Sequence, residues 1–540
     1  MAALPTLPVL FSVLLSTSLT VSVTALMISP VPLIVPKVPC LTESTMLTAR
    51  RSLLRESSRL VVHGFLAGRK LECTVSGSGP AHSDAVVERP TFQLRYVRSQ
   101  LNNSSTPMPQ PRTRKSRRRT FWTIAATVIG TAVAFVLAMN FVVPEKRLER
   151  QIEHRYGAAD PQFKREMGVL MGPAVLPGNR VDPLQNGDQI FPAMLEGIAQ
   201  ARSTVSFETY IYWSGEVGRR FSEALCGRAR AGVAVSVIVD WVGSLKMDEA
   251  MLDEMKRCGV RLERYRPLSW YHLGRINNRT HRKLLVIDGR IAFTGGVGVA
   301  DQWLGAAQDP DHWRDMHFRI AGPAAAQFQA AFNDNWIKVT GEVLNGAANF
   351  PPVEAQGEQD AHLFISSPAG GSDSMHLMYL LSIAAATRTI DLMASYFVPD
   401  ELIDRALLAA RARGVRVRIL VPGQHIDSEV VRLSSRSGWG PLLQAGVEIF
   451  EYGPTMMHAK ALIVDREMVS VGSTNFDERS FRLNDEASLN VYDSGLATQL
   501  TGVFEADLRK ATRYTYELWS RRPWTEKFIE TVIRPIRSQL

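Results

Sequence analysis

Cysteine is scarce in this chain, with only Cys40, Cys73, Cys226 and Cys258. They form no CxxC pair and no Cys/His cluster with ligand spacing, which argues against a structural zinc site. Cys226 and Cys258 read as buried apolar residues rather than reactive thiols. No Lys or Arg precedes Lys37, so the apolar run over residues 2–38 lacks the basic start of a secretory signal. That run is also broken by Pro5, Pro8, Pro30, Pro32 and Pro36. An excess of acid is missing too: the formal net charge is +9, which points to an anionic partner, either nucleic acid or an acidic membrane surface. With 45% hydrophobic and 21% charged residues, the chain has the composition of a folded protein.

The texture divides the chain in order. Residues 1–107 show no sustained helical or strand period, and are expected not to form a domain. Met108 is a candidate start, with the preceding residues an upstream extension of the reading frame. Residues 121–143, FWTIAATVIGTAVAFVLAMNFVV, carry no charge and are long enough to cross a bilayer as a helix. Arg112, Arg114, Lys115, Arg117, Arg118 and Arg119 crowd the entry side, against Lys146, Arg147 and Arg150 beyond it. The positive-inside rule then keeps the N-terminus cytoplasmic and places the remainder on the non-cytoplasmic side, as a single-pass protein of a bacterial inner membrane.

From about residue 160 the pattern alternates. Helix-like residues 191–201, strand-like 204–213, helix-like 217–231 and a buried apolar strand at 233–240 imply an α/β sandwich around a buried sheet. The order then recurs, with helices at 375–387 and 399–412 and strands at 389–396 and 415–422. The sequence recurs with it: RAGVAVSVIVD stands beside ARGVRVRILVP, and GVRLERYRP beside GVEIFEYGP. Two copies of one unit, at 160–345 and 360–515, are expected to pack about a pseudo-twofold axis.

Each copy holds one constellation. HRKLLVIDGRIAFTGG contains His281, Lys283, Asp288, Gly295 and Gly296, and HAKALIVDREMVSVGSTN contains His458, Lys460, Asp465, Gly472, Ser473 and Asn475. On a strand, His-x-Lys puts both side chains on one face, roughly 7 Å apart at ~3.3 Å per residue, suited to gripping one phosphate. Asp288 and Asp465 fall where a hairpin would turn. The small residues after the next strand leave room for a phosphate to approach backbone N–H groups. Two imidazoles suit displacement at a phosphodiester, one attacking phosphorus and the other protonating the departing alkoxide. Two lysines and an Asn would offset charge on the equatorial oxygens, so no metal or cofactor is expected.

These paired HxKxxxxD motifs resemble those of the phospholipase D superfamily, most closely its bacterial cardiolipin synthase branch, over approximately residues 160–540. The resemblance implies two phospholipase D-like lobes after a transmembrane helix, with His281, Lys283, His458 and Lys460 in a single site between them. It implies phosphate contacts from Gly296, Ser473 and Asn475, and histidine orientation by Asp315 (WRDMHFRI) and Glu486 (NDEASLNVY). Asp288 and Asp465 belong to the motif but rank below the His and Lys pairs. Where the second copy reads GSTN the first reads GGVG, so Gly298 stands in place of an Asn and a phosphate contact is expected to be lost. Which histidine attacks stays open, with family precedent leaning towards His281 and giving His458 the acid's role.

The fold also hosts hydrolases and nucleases, so the substrate must be argued separately. The apolar span favours a lipid. The first copy carries extra residues before its motif, including Leu268, Trp270, Tyr271 and Leu273, which suit an interface or core packing. The tail 516–540 mixes Trp519, Trp524, Phe528 and Ile529 with Arg521, Arg522, Lys527, Arg534 and Arg537, as an interfacial helix or one packed on the second lobe. The resulting expectation is phosphatidyl transfer between two phosphatidylglycerol molecules at a bilayer, with no obligatory protein partner. The alternatives are a phospholipase D using water, a membrane-tethered nuclease, and an inactive lipid-binding scaffold. Nucleic acid is disfavoured because the densest basic cluster sits at the membrane flank.

Overall fold

The computed structural model describes residues 61–66, 69–74, 114–140, 148–267, 278–367, 374–533 and 537. The chain separates into two units, residues 1–109 and 110–540. In the first unit, Val61–Leu66 and Arg69–Thr74 pair as an antiparallel hairpin. Most of residues 1–107, and the aromatic segment Leu268, Trp270, Tyr271 and Leu273, lie outside the described residues.

In the second unit, Arg114–Asn140 forms one helix. Its described side chains span residues 118–135, where Phe121, Trp122, Ile124, Val128, Ile129, Val133 and Phe135 are exposed. Among the described residues, no helix is long and apolar enough to cross a membrane.

The rest of this unit is an α/β sandwich repeated twice. In the first lobe the strands run Leu176–Gln185, Met316–Ala321, Ile291–Gly295, Leu284–Ile287, Thr204–Thr209, Ala234–Asp240 and Arg261–Tyr265 across the sheet. In the second they run Gln359–Ser366, Glu486–Tyr492, Met468–Gly472, Ala461–Val464, Thr389–Met393, Arg416–Pro422, Glu448–Tyr452 and Ala511–Tyr514. Strand by strand the first seven correspond; the second lobe adds one at its edge. The lobes join where Gln359–Ser366 pairs antiparallel with Leu176–Gln185, making one sheet of 15 strands.

Burial explains the periodicity read from sequence. Every residue of Thr204–Thr209, Leu284–Ile287 and Ala461–Val464 is buried, as strands covered on both faces require. One face of each lobe has its own core, around Phe207 and Phe221 in the first and Ile390 and Ile419 in the second. The other faces share a core, in which Leu284, Val286 and Phe318 pack with Ile463, Val471, Leu489 and Phe504. The shared core makes the lobes one body rather than two tethered domains.

Two expectations need correction. The helix Pro161–Leu170 lies within the 160–345 range given to the first lobe, yet it packs on the second. Phe163 and Met167, on its apolar face, enter the cluster of Met375 and Met378, and Lys164 bonds Asp360 at 2.5 Å. Sequence position misled here because the apolar face chooses its neighbour by burial rather than by chain order. Cys226 and Cys258 are joined in a disulfide, with Cα atoms 5.4 Å apart. Cys226 is buried as expected, but its partner, far away in sequence, comes from the end of the neighbouring helix Glu249–Arg257.

Candidate active site

The two motifs enter the site in the same way. Each HxK segment precedes its strand rather than lying within it, since the strands begin at Leu284 and Ala461. What holds the segments extended is a pair of bridges across the lobe boundary. The His281 amide donates to the Asp485 carbonyl (2.8 Å), and the Asp485 amide donates to the Arg279 carbonyl (2.8 Å). Symmetrically, the His458 amide donates to Arg314 (2.7 Å), and the Arg314 amide donates to Met456 (2.9 Å). Alternation then turns His281 and Lys283 one way and Arg282 the other. Arg282 is fully buried and donates to the Ala331 carbonyl at 2.8 Å and to Asp334 at 3.0 Å, which anchors the segment from behind.

The bridges place each histidine against a carboxylate of the opposite lobe. His281 Nδ1 lies 2.9 and 3.0 Å from the Glu486 oxygens, and His458 Nδ1 lies 2.7 Å from Asp315 Oδ2. An ionised carboxylate only accepts, so Nδ1 carries the proton in each ring; the Nε2 of His281 is left for chemistry, while that of His458 lies 3.0 Å from the Lys460 ammonium. Both carboxylates are fully buried and further held. Asp315 accepts from Trp303 Nε1 (2.9 Å) and the Met316 amide (2.7 Å), while Glu486 accepts from the Ser473 hydroxyl. Burial opposes their charge, but His458 and Lys460 outweigh it at Asp315, and His281 and Lys283 at Glu486. Both carboxyl pKa values therefore fall below the usual range.

One cavity of about 560 Å³ receives these groups, with His281, Lys283, His458 and Asn475 among its walls. Burial pushes His281 down to about 4, and it lowers His458 as well. Burial and the neighbouring Lys460 bring Lys283 down to about 7, and burial brings Lys460 to about 8. The Lys283 ammonium donates to the His281 carbonyl at 2.9 Å. Lys460 donates to the Ser395 hydroxyl and to the His458 carbonyl, both at 2.7 Å.

Other expected site residues stand elsewhere. Asp288 and Asp465 occupy the hairpin turns at the far ends of the strands that follow each HxK, both with positive φ. The Asp288 carboxylate accepts from the amides of Arg202, Ser203 and Thr204, and that of Asp465 from Thr387, Arg388 and Thr389. They tie a turn to the start of the neighbouring strand, and neither is among the residues lining the cavity. Gly296 and Ser473 do not offer amides to a phosphate, because those amides already bond Met316 and Ala487 across the sheet, each at 3.0 Å. Gly296 is small because a Cβ there would meet Asp315 at 2.2 Å, and Ser473 uses its hydroxyl on Glu486. Asn475 does face the cavity, with its buried Oδ1 unpartnered among the described residues. At Gly298 a Cβ would meet Ile211 at 2.9 Å and the Trp303 ring at 3.2 Å, so an indole fills the space of the absent Asn.

Several wall residues were not singled out from sequence. Tyr210 packs against His281 at 5.2 Å between ring centres, and Trp303 and Trp313 against His458 at 5.4 and 5.5 Å. Tyr210 and Tyr396 follow corresponding strands of the two lobes, one residue out of register with each other, and both line the cavity.

This architecture is that of the phospholipase D-like proteins, two lobes meeting at a histidine pair. Residues 194–336 and 379–508 match the family model described as cardiolipin synthase, PLD-like domain. Among curated relatives, the cardiolipin synthase of Geobacillus sp. (strain WCH70) is 34% identical over 71% of this chain and 74% of that protein. The cardiolipin synthase of Geobacillus kaustophilus is 35% identical over 65% of this chain and 70% of that protein. The crystal structure of a phosphatidylserine synthase from Haemophilus influenzae shares the fold, with a TM-score of 0.55 at 13% identity, covering 70% of this chain and 98% of that one. The chain belongs to the cardiolipin synthase family.

Proposed function

We propose that the chain transfers a phosphatidyl group from one phosphatidylglycerol to a hydroxyl of another, through a phosphohistidine, at the surface of a membrane. The observation that carries this is the single cavity whose wall holds both imidazoles while a carboxylate of the opposite lobe holds each Nδ1. His281, neutral because burial holds its pKa near 4, attacks phosphorus with its free Nε2 lone pair. A P–N bond forms, the P–O bond to glycerol breaks, and the departing oxygen takes a proton from protonated His458. An anionic phosphodiester in the cavity favours the protonated form of His458 that this step needs. In the second half, neutral His458 accepts the proton of the incoming hydroxyl, whose oxygen attacks phosphorus as the P–N bond breaks. The products are cardiolipin and glycerol. Lys283, Lys460 and Asn475 stabilise charge on the phosphoryl oxygens as it develops.

Residues 121–143, which begin within the helix Arg114–Asn140 and extend beyond the described residues, are the proposed single-pass anchor, with the catalytic lobes on the non-cytoplasmic side of a bacterial inner membrane. Support comes from the basic cluster before residue 121 and from the Cys226–Cys258 disulfide, a bond that persists in oxidising compartments. At the other end, Trp524–Ile533 is tied to the second lobe through Trp519, whose indole donates to Arg436 at 2.8 Å. It nevertheless leaves Trp524, Phe528 and Val532, four residues apart, exposed on one stripe with Lys527 beside them. Such a stripe suits shallow insertion at an acidic interface.

The test is an assay of the purified chain with labelled phosphatidylglycerol in EDTA. Cardiolipin with glycerol is the expected outcome. Phosphatidic acid alone means hydrolysis, and DNA cleavage without lipid turnover means a nuclease; either overturns the proposal. Protease protection in spheroplasts tests the topology: the lobes should be digested from outside the cell.

A further inference from the structure

The pseudo-twofold repeat fails at one cavity position that the chemistry above does not use. In the first lobe, the residue two before the motif histidine is Arg279; in the second it is Met456. The extended segment carries Arg279, His281 and Lys283 along one face, successive members roughly 7 Å apart at ~3.3 Å per residue. All three line the cavity. Met456 is buried and is not part of that wall.

Arg279 is only 6% exposed, yet its Nη1 has no hydrogen-bond partner among the described residues. The nearest carboxylate oxygen, on Asp240, is 3.9 Å away, beyond hydrogen-bond reach. Asp240 takes its hydrogen bonds from the amides of Val242 (2.9 Å), Gly243 (3.2 Å) and Thr280 (3.2 Å), and the arginine acts on it only through charge across that gap. The Trp241 ring lies 5.3 Å from the guanidinium. Nor does the fold use this side chain for the lobe bridge, which involves only the Arg279 carbonyl. A guanidinium on a cavity wall, with an N–H that makes no hydrogen bond, suits a planar or tetrahedral oxyanion.

The lysines and Asn475 already serve the reacting phosphate, so this site takes a different anion. We infer that Arg279 binds the phosphodiester of the acceptor lipid, holding its headgroup hydroxyl towards the phosphohistidine. This rests on the transferase reading above and extends it by naming a residue that selects a lipid over water as acceptor.

The full chain is incubated with vesicles of phosphatidylglycerol labelled in its glycerol headgroup, and released glycerol, cardiolipin and phosphatidic acid are measured together. Arg279→Gln should raise the KM for cardiolipin formation by about ten-fold or more, the loss of one charged hydrogen bond. It should also shift product towards phosphatidic acid while leaving the rate of glycerol release close to wild type. Arg279→Lys, which keeps the charge, should restore part of the cardiolipin yield. Equal loss of glycerol release and cardiolipin, or no change in their ratio, overturns the assignment. A second measurement separates this from failure of the transferase reading. Glycerophosphoglycerol, a soluble single phosphodiester, is titrated into the His281→Ala chain and into the same chain with Arg279→Gln. Two binding events falling to one support the site even where the wild type makes no cardiolipin, and unchanged stoichiometry sinks it.

Discussion

The two lobes share a strand order and a motif, yet differ at several positions in and around that motif. The first lobe contributes Arg279, Arg282, Gly298 and Asp315; the second has Met456, Ala459, Asn475 and Glu486 in their places. What is kept is the pair that must act on one phosphorus atom, an imidazole and an ammonium from each side. What diverges is the environment that could make one histidine a nucleophile and the other an acid. His281 rests on a glutamate shared with Ser473, whereas His458 rests on an aspartate shared with Trp303 and packs beside two indoles. Duplication supplied a symmetric frame, and the proposed reaction, which needs one nucleophile and one acid, uses it asymmetrically.

The comparison is tested most severely at the histidines themselves. Replacing His281 or His458 by Ala should each lower kcat for cardiolipin formation by about a thousandfold, and the double variant should be little worse, because they act as a unit. Near-full activity in either single variant would refute the shared site. The carboxylates come next. Asp315→Asn and Glu486→Gln should each cost roughly a hundredfold through misplaced rings. Asp315→Asn combined with His458→Ala should lose no more than His458→Ala alone. A further loss in that double variant would refute the cross-lobe pairing.

Making the lobes more alike should harm the protein. Gly298→Asn would press against Ile211 and Trp303, costing about 1–3 kcal/mol of stability, read as a lower midpoint in urea. Unchanged stability would mean that the indole yields easily and the asymmetry is incidental. The mildest effect is on pH. The lysines are useful only while charged, and burial has lowered Lys283 to about 7 and Lys460 to about 8. As pH rises through those values the free enzyme loses its phosphate-binding charge, so kcat/KM should fall several-fold between about pH 7 and 9. On the acid side His281 stays neutral until pH nears 4. A profile flat to pH 10 would contradict this.

Much of the site was legible in the linear chain because the repeat amplified it. HxK is weak evidence alone, but a second copy in register with the same strands identified His281, Lys283, His458 and Lys460, and WRD and NDE pointed to Asp315 and Glu486. The turn positions of Asp288 and Asp465 were readable from spacing, but their carboxylates were not. Only the fold shows them capping the amides of a neighbouring strand. The phosphate role expected of Gly296 and Ser473 failed for a related reason: small residues signal close approach without saying what approaches. Here it is the Asp315 carboxylate and the adjacent strand. The disulfide was invisible because Cys226 and Cys258 belong to different helices, brought together by packing on the same sheet.

Local pattern thus determined the elements, their duplication and the reacting groups, since period, turn chemistry and side-chain identity are properties of short stretches of chain. Tertiary structure decided that each histidine is steered by the opposite lobe, that an indole occupies the space beside Gly298, and that Arg279 opens on the same cavity as the motif. Those are distances between residues remote in sequence, set by how two buried sheet faces close over a common core.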